Sequence, residues 1–288
     1  MSGLDRSRYE KDMRPPDADG RFLRALYHNA AGRGLVSLLM QRATLRAVGA
    51  LANAGVSRLL IPAFAQKRNI KLTRRYRSFN DFFSREVPVS FVSDDASLGS
   101  PCEADVTAWI DEREAQPLFV KGHVLPLSRL ANVDTSLWQG GALYQFSLTT
   151  AHMHRMLAFD DCKIVYESAI PGAYQSTHRA VRPYAEDVNF RNYRSVQVLD
   201  TRRFGKVLCV MVASMLVGSV RRLAPIRQPI AKGDALNCFE LGGSAVLMVF
   251  EKARLEPNTV LLRNTRLGIP TYVRAGDEIG GVFNIPTA

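Results

Sequence analysis

Ser244 follows Gly242 and Gly243 at the mouth of the apolar run SAVLMVF. A glycine carbonyl has no side chain to shield it, and a serine hydroxyl is the next nucleophile along the chain. Together they form a pair in which a backbone can be attacked by its own side chain. The structural alternative is a Gly-Gly turn or bulge leading into a core strand. Upstream, AHMHR carries His152 and His154, two of the chain's five histidines. In an extended segment residues i and i+2 point the same way, so both rings would face one pocket and transfer protons near neutral pH. SPCEADV places Glu103 and Asp105 at the same spacing behind a Ser-Pro turn, where either carboxylate could orient an imidazole. Taken one at a time, these are also the patterns of core histidines and solvated loop acids.

The elements that must position these groups are legible in outline. The chain has 288 residues, 47% of them hydrophobic and 23% charged, the balance of a folded globular protein with a sizeable core. Cys102, Cys162, Cys209 and Cys238 form no CxxC pair and lie at no metal-ligand spacing from a histidine. They read as scattered buried thiols of a reducing compartment, and no metal is implied. Residues 1–20 are polar, lack the apolar segment of a secretory signal and read as a mobile arm, and no stretch of 18 uncharged apolar residues follows. The expected location is therefore cytoplasmic or peripheral on a membrane. A net charge of +11 favours an anionic partner. The arginines are dispersed, as in Arg74, Arg75, Arg77, Arg202, Arg203, Arg221 and Arg222, and no aromatic nucleic-acid motif accompanies them. That argues for a phospholipid surface or an acidic substrate, with no nucleic acid as partner.

From about residue 21 to 66 the pattern is helical. Arg42, Arg46, Gly49 and Asn53 share one narrow face while most of the remaining circumference is apolar. Such a helix either packs on the protein core or lies in a membrane interface. Ser78 with Asp81 three residues on predicts a capped short helix. Beyond residue 100, ALYQFSL, SVQVLD, GKVLCVMVA and SAVLMVFE read as short strands, and FGKVLCVMVASMLVGSV reads as a strand pair with a small-residue turn, closing on Gly218-Ser219. The expected fold class is α+β: a helical section over 21–99 packed on a β-rich, mostly antiparallel body over 100–288.

In chain order, FNDFFSREV, SPCEADV, FVKGHVLPLSRL, HMHR, IPGAY, FRNYR, FGKVLCVMVASMLVGSV, KGDALNCFELGGSAVLMVFE and GIPTYVRAGDEIG resemble the phosphatidylserine decarboxylase family over roughly 55–280. The closing VRAGDEIG is most similar to its second, eukaryotic-type branch. The resemblance implies a proenzyme in which the Ser244 hydroxyl attacks the Gly243 carbonyl. Elimination then splits the chain into 1–243 and 244–288, and a pyruvoyl cofactor forms covalently from Ser244 as an electron sink for decarboxylation. It implies that His154 is the acid near the substrate. The triad histidine position is occupied by Leu157, which cannot accept a proton, so activation of Ser244 falls to His154, His152, a carboxylate or strain. Glu103 aligns with the triad aspartate without a gap, and Asp105 with a gap of one. Ala245 replaces a common threonine, and ASML at 213–216 replaces a GATN turn.

Three readings follow. The first is a decarboxylase of phosphatidylserine working at a peripheral anionic membrane surface. The second is a decarboxylase of a soluble, for example aromatic, amino acid. The third is an uncleaved lipid-binding protein without turnover. Any of them admits a homo-oligomer.

Overall fold

The segments with the densest β-branched and apolar content become the middle of one sheet. In a computed structural model, residues 20–283 are described except 116–118, 121–122, 182, 185–186, 216–219 and 241–243. The arm expected over 1–20 lies outside the described residues apart from Gly20, where the first helix starts. A seven-stranded antiparallel sheet runs, edge to edge, through Thr271–Val273, Ala104–Trp109, Leu143–Leu148, Ser244–Val249, Gly205–Val212, Arg194–Thr201 and Cys162–Ile170. The Ser244–Val249 strand is central and buried throughout. Val246 and Met248 enter one core layer with Val106, Phe146, Met211 and Phe239. Ala245, Leu247 and Val249 enter the other with Leu143, Val196 and Val210. A strand covered on both faces reads as a continuous apolar run, which is why SAVLMVF shows no alternation.

FGKVLCVMVASMLVGSV does not form the expected strand pair. Gly205–Val212 already has a partner on each side, Arg194–Thr201 and Ser244–Val249, so it has no free edge to offer. Val220–Arg222 instead joins a separate three-stranded sheet with Ala235–Phe239 and Arg155–Leu157; Gly218 and Ser219 lie outside the described residues. A reciprocal amide pair ties the two sheets. Gln197 Nε2 donates to Asn237 Oδ1 at 3.0 Å, and Asn237 Nδ2 donates to Gln197 Oε1 at 2.9 Å. The fold is α+β: the helical section precedes residue 84 and the sheets lie beyond residue 96, with further helices at Leu127–Ala131, Val188–Arg191 and Thr259–Arg266 set among the strands.

The helical stretch expected over 21–66 is broken into Gly20–His28, Ala30–Leu39, Arg42–Asn53, a 3-10 turn at Gly55–Leu60, and Ile61–Lys67. No helix is long and apolar enough to cross a membrane among the described residues. Leu45 and Ala52 are the buried hydrophobic residues of the Arg42–Asn53 helix, whereas Leu51 points outward. Core packing therefore does not account for its apolar circumference. The capped helix forms as expected at Phe79–Phe83. Asp81 N–H donates to Ser78 Oγ at 3.2 Å, and the Asp81 carboxylate accepts from Arg77 N–H at 2.8 Å and from the Arg74 guanidinium.

Ile61, Ala65, Tyr76, Phe79, Phe82 and Phe83 form a small aromatic core of their own. This unit is fastened to residues 149–155 by three arginines. Arg68 Nε donates to Thr150 Oγ1 at 2.7 Å, Arg85 Nη2 to the Ala151 carbonyl at 2.8 Å, and Arg155 Nε to the Ser84 carbonyl at 2.7 Å. The helices thus hold the segment that carries both histidines.

Candidate active site

Ser244 is the first residue of the central strand, in register with Leu148. It is 1% exposed, and its Oγ has no hydrogen-bond partner among the described residues. A core strand does begin at Ser244, while Gly242 and Gly243 lie outside the described residues. A strand start alone leaves the hydroxyl unexplained, because burying one without a partner costs about 1–3 kcal/mol. The backbone ties the histidine segment to the chain on both sides of Ser244. Leu148, beside Ser244, is followed by a turn in which His152 N–H donates to the Thr149 carbonyl at 3.0 Å. On the other side of residues 240–243, Phe239 N–H donates to the His154 carbonyl at 2.9 Å.

The two histidines do not take the extended arrangement expected of them. The turn at 149–152 rotates His152 against Tyr272, with ring centroids 5.6 Å apart, while His154 lies on Phe83 at 3.9 Å. Their hydrogen bonds assign them different chemistry. His154 Nδ1 lies 3.0 Å from the His152 carbonyl oxygen, which can only accept, so Nδ1 carries the proton and Nε2 is the basic nitrogen. His152 Nδ1 accepts from Thr149 N–H at 3.0 Å, so in the neutral ring the proton sits on Nε2 and the basic nitrogen is already engaged.

Glu103 occupies the bend just before the Ala104–Trp109 strand. One carboxylate oxygen accepts from the Tyr272 hydroxyl at 2.7 Å and the other from Met153 N–H at 2.8 Å. It therefore grips the histidine segment between His152 and His154. Asp105 is in register with Ser147, which pairs with Ala245, so strand alternation puts it on the sheet face opposite to that of Ser244. Leu157 is buried in the Arg155–Leu157 strand, and its N–H donates to the Pro101 carbonyl at 2.9 Å, beside the bend that carries Glu103.

Two contributors carried no assigned role in the sequence. Tyr272 reaches Glu103 across 169 positions, a contact with no local signal. Burial, then the neighbouring Glu103 charge, push its phenol well above the ordinary range, so it stays protonated and donating. Arg85 closes the capped-helix motif and is buried, which lowers its pKa, although Glu103 acts in the opposite direction.

Residues 79–281 match the family described as Phosphatidylserine decarboxylase. The chain is 30% identical over 280 residues to the phosphatidylserine decarboxylase proenzyme of Ruminiclostridium cellulolyticum, covering 93% of each chain. It is 29% identical over 274 residues to the proenzyme of Chlamydia caviae, covering 88% of this chain and 89% of the relative. Proenzyme 2 of Clostridium acetobutylicum is 26% identical over 273 residues, covering 90% and 91%. On this span of similarity, which takes in Glu103, both histidines and Ser244, the chain belongs to the phosphatidylserine decarboxylase family.

Proposed function

We propose that the chain is a proenzyme that cleaves itself between Gly243 and Ser244 and then converts phosphatidylserine to phosphatidylethanolamine and CO2 at an anionic membrane surface. The observation that carries this reading is the buried Ser244 hydroxyl, without a partner at the head of the central strand and flanked by the histidine segment. The residues present fit a pyruvoyl group formed from Ser244, which when present supplies an electron sink for the bond to the departing carboxylate.

The chain's own side chains do the rest. Ser244 Oγ is the nucleophile toward the Gly243 carbonyl. His154, through Nε2, takes the hydroxyl proton and in turnover returns one to the substrate carbon. His152 positions its own turn through Thr149. Glu103 holds the histidine segment through Met153 N–H and is itself held by Tyr272. Glu103 is the triad acid in this reading, and Asp105 on the opposite face is not. Leu157 leaves the proton transfer to His154. Single-turnover cleavage tolerates such a loss of rate better than repeated catalysis does.

The lipid reading is supported by the outer surface of the helical section. Leu59 and Leu60 are 72% and 63% exposed, and Leu51 and Val56 are exposed beside them. Arg46 and Arg58, also exposed, supply cations for lipid phosphates. Burying a leucine side chain contributes about 1.5–3 kcal/mol. Replacing Leu59 and Leu60 together by glutamate is therefore expected to cut co-sedimentation with phosphatidylserine-containing vesicles by at least about tenfold. Self-cleavage should be unchanged, since both side chains point away from the core.

The activity itself is tested by CO2 release from phosphatidylserine vesicles against free serine and free aromatic amino acids. Release from vesicles alone is the expected result. Release from a free amino acid in the absence of lipid would move the substrate to the soluble class. No release from any of them by a cleaved chain would defeat the decarboxylase reading.

A further inference from the structure

Arg85 is 5% exposed, yet its guanidinium is only partly satisfied. Nη2 donates to the Ala151 carbonyl at 2.8 Å, and the group lies 5.2 Å from the Phe82 ring, while Nη1 has no hydrogen-bond partner among the described residues. The acidic group that acts on it is Glu103, whose oxygens accept from Tyr272 and Met153 and form no hydrogen bond or ion pair with the guanidinium. A buried cation without an anion is costly, and the cost is offset when an anion enters beside it. The position of this cation ties it to the site. Ala151 is the residue before His152, and Phe83, two residues before Arg85, carries the His154 ring.

We propose that Arg85 is the anion subsite of this centre and takes the phosphodiester of the substrate headgroup, an inference that rests on the decarboxylase reading above. The planar guanidinium fork suits phosphate oxygens. The substrate carboxylate is the wrong partner for it. Its negative charge disperses as CO2 departs, so a cation on it would favour the ground state over the transition state and slow the reaction. The phosphodiester keeps its charge throughout. A contact to it strengthens binding equally before and during the reaction, which lowers KM without changing kcat.

The test uses the cleaved protein, wild type and Arg85→Met, with cleavage checked by intact mass. Methionine fills similar buried volume without a charge. Calorimetric titration is carried out with monomeric dihexanoylphosphatidylethanolamine, which has the phosphodiester and no carboxylate. Free serine, with the carboxylate and no phosphate, and inorganic phosphate are titrated in parallel. Arg85→Met is expected to weaken binding of the short-chain lipid by about 10- to 100-fold, the scale of a hydrogen bond to a charged group, and to leave serine unchanged. In turnover of dihexanoylphosphatidylserine the same factor should appear in KM.

Equal lipid binding by wild type and variant would overturn the subsite, and so would a loss confined to serine. Inorganic phosphate binding as tightly as the lipid and weakening equally in the variant would assign Arg85 to free phosphate and overturn the headgroup proposal. If Arg85→Met does not fold, Arg85→Lys keeps the charge and loses the fork, and several-fold weaker lipid binding is then expected. Unchanged lipid binding by Arg85→Lys would overturn the proposal in that case. Because binding is read without turnover, a chain that binds lipid through Arg85 yet releases no CO2 defeats the decarboxylase reading and leaves the subsite standing.

Discussion

Ser244→Ala is expected to run as one full-length species by intact mass and to release no CO2 from phosphatidylserine, while the wild type separates into 1–243 and 244–288. Alanine keeps the backbone and the buried volume of the strand head and removes only Oγ. In most proteins the loss of a buried hydroxyl also breaks a hydrogen bond, so an inactive variant can be a misfolded one. Here Oγ makes no hydrogen bond among the described residues, so its removal relieves a desolvation cost. The variant should unfold in urea in one cooperative transition, at a midpoint no lower than that of the wild type. Equal stability joined to total loss of cleavage isolates the nucleophile. A short fragment from the alanine variant would place the processing site elsewhere. A wild type that itself remains full length would mean that Leu157 silences processing, and the uncleaved lipid-binding reading would replace the enzymatic one.

What the sequence revealed and concealed follows from how local each signal is. The strands around ALYQFSL, SVQVLD, GKVLCVMVA and SAVLMVFE are legible because a strand buried on both faces needs an unbroken apolar run. Their order in the sheet is not, since the neighbours of Ser244–Val249 come from residues 143–148 and 205–212, and pairing is chosen by the packed whole. The same cause undid the strand pair at FGKVLCVMVASMLVGSV, whose first strand spends both its edges on distant partners. The cap at Ser78 was legible because it is closed within four residues.

In the candidate site, Ser244, the histidines and Glu103 stood out by residue type and by resemblance, and Leu157 only against a family pattern. Spacing alone gave His152 and His154 the same role. The turn at Thr149, which separates them, depends on a ring nitrogen capturing a backbone N–H. Tyr272 was invisible because nothing in TYVRAGDEIG announces a carboxylate 169 positions away. Nothing in FNDFFSREV singles out Arg85, because only tertiary packing buries it.

The division of labour between the histidines gives the second large effect. His154→Gln is expected to lower decarboxylation by about 10²–10⁴-fold, the range for loss of a positioned acid or base. Glutamine can still meet the His152 carbonyl through its amide N–H and lie against Phe83, so the fold should survive while the proton-carrying nitrogen is gone. His152→Gln is expected to cost no more than about tenfold, because His152 Nδ1 serves the backbone N–H of Thr149 and a glutamine side-chain oxygen can accept in its place. Its chief effect should fall on stability, by about 1–3 kcal/mol if that N–H is left without a partner. His154→Gln should also slow self-cleavage, so both variants are read as kcat per cleaved chain, with the cleaved fraction taken from intact mass and urea midpoints measured alongside. The opposite ranking, with His152→Gln the more damaging at equal stability, would mean that the proton moves through His152 Nε2. His154 would then be a packing residue held between Phe83 and the turn, and Tyr272, whose ring lies against His152, would become the next group to test in the proton path.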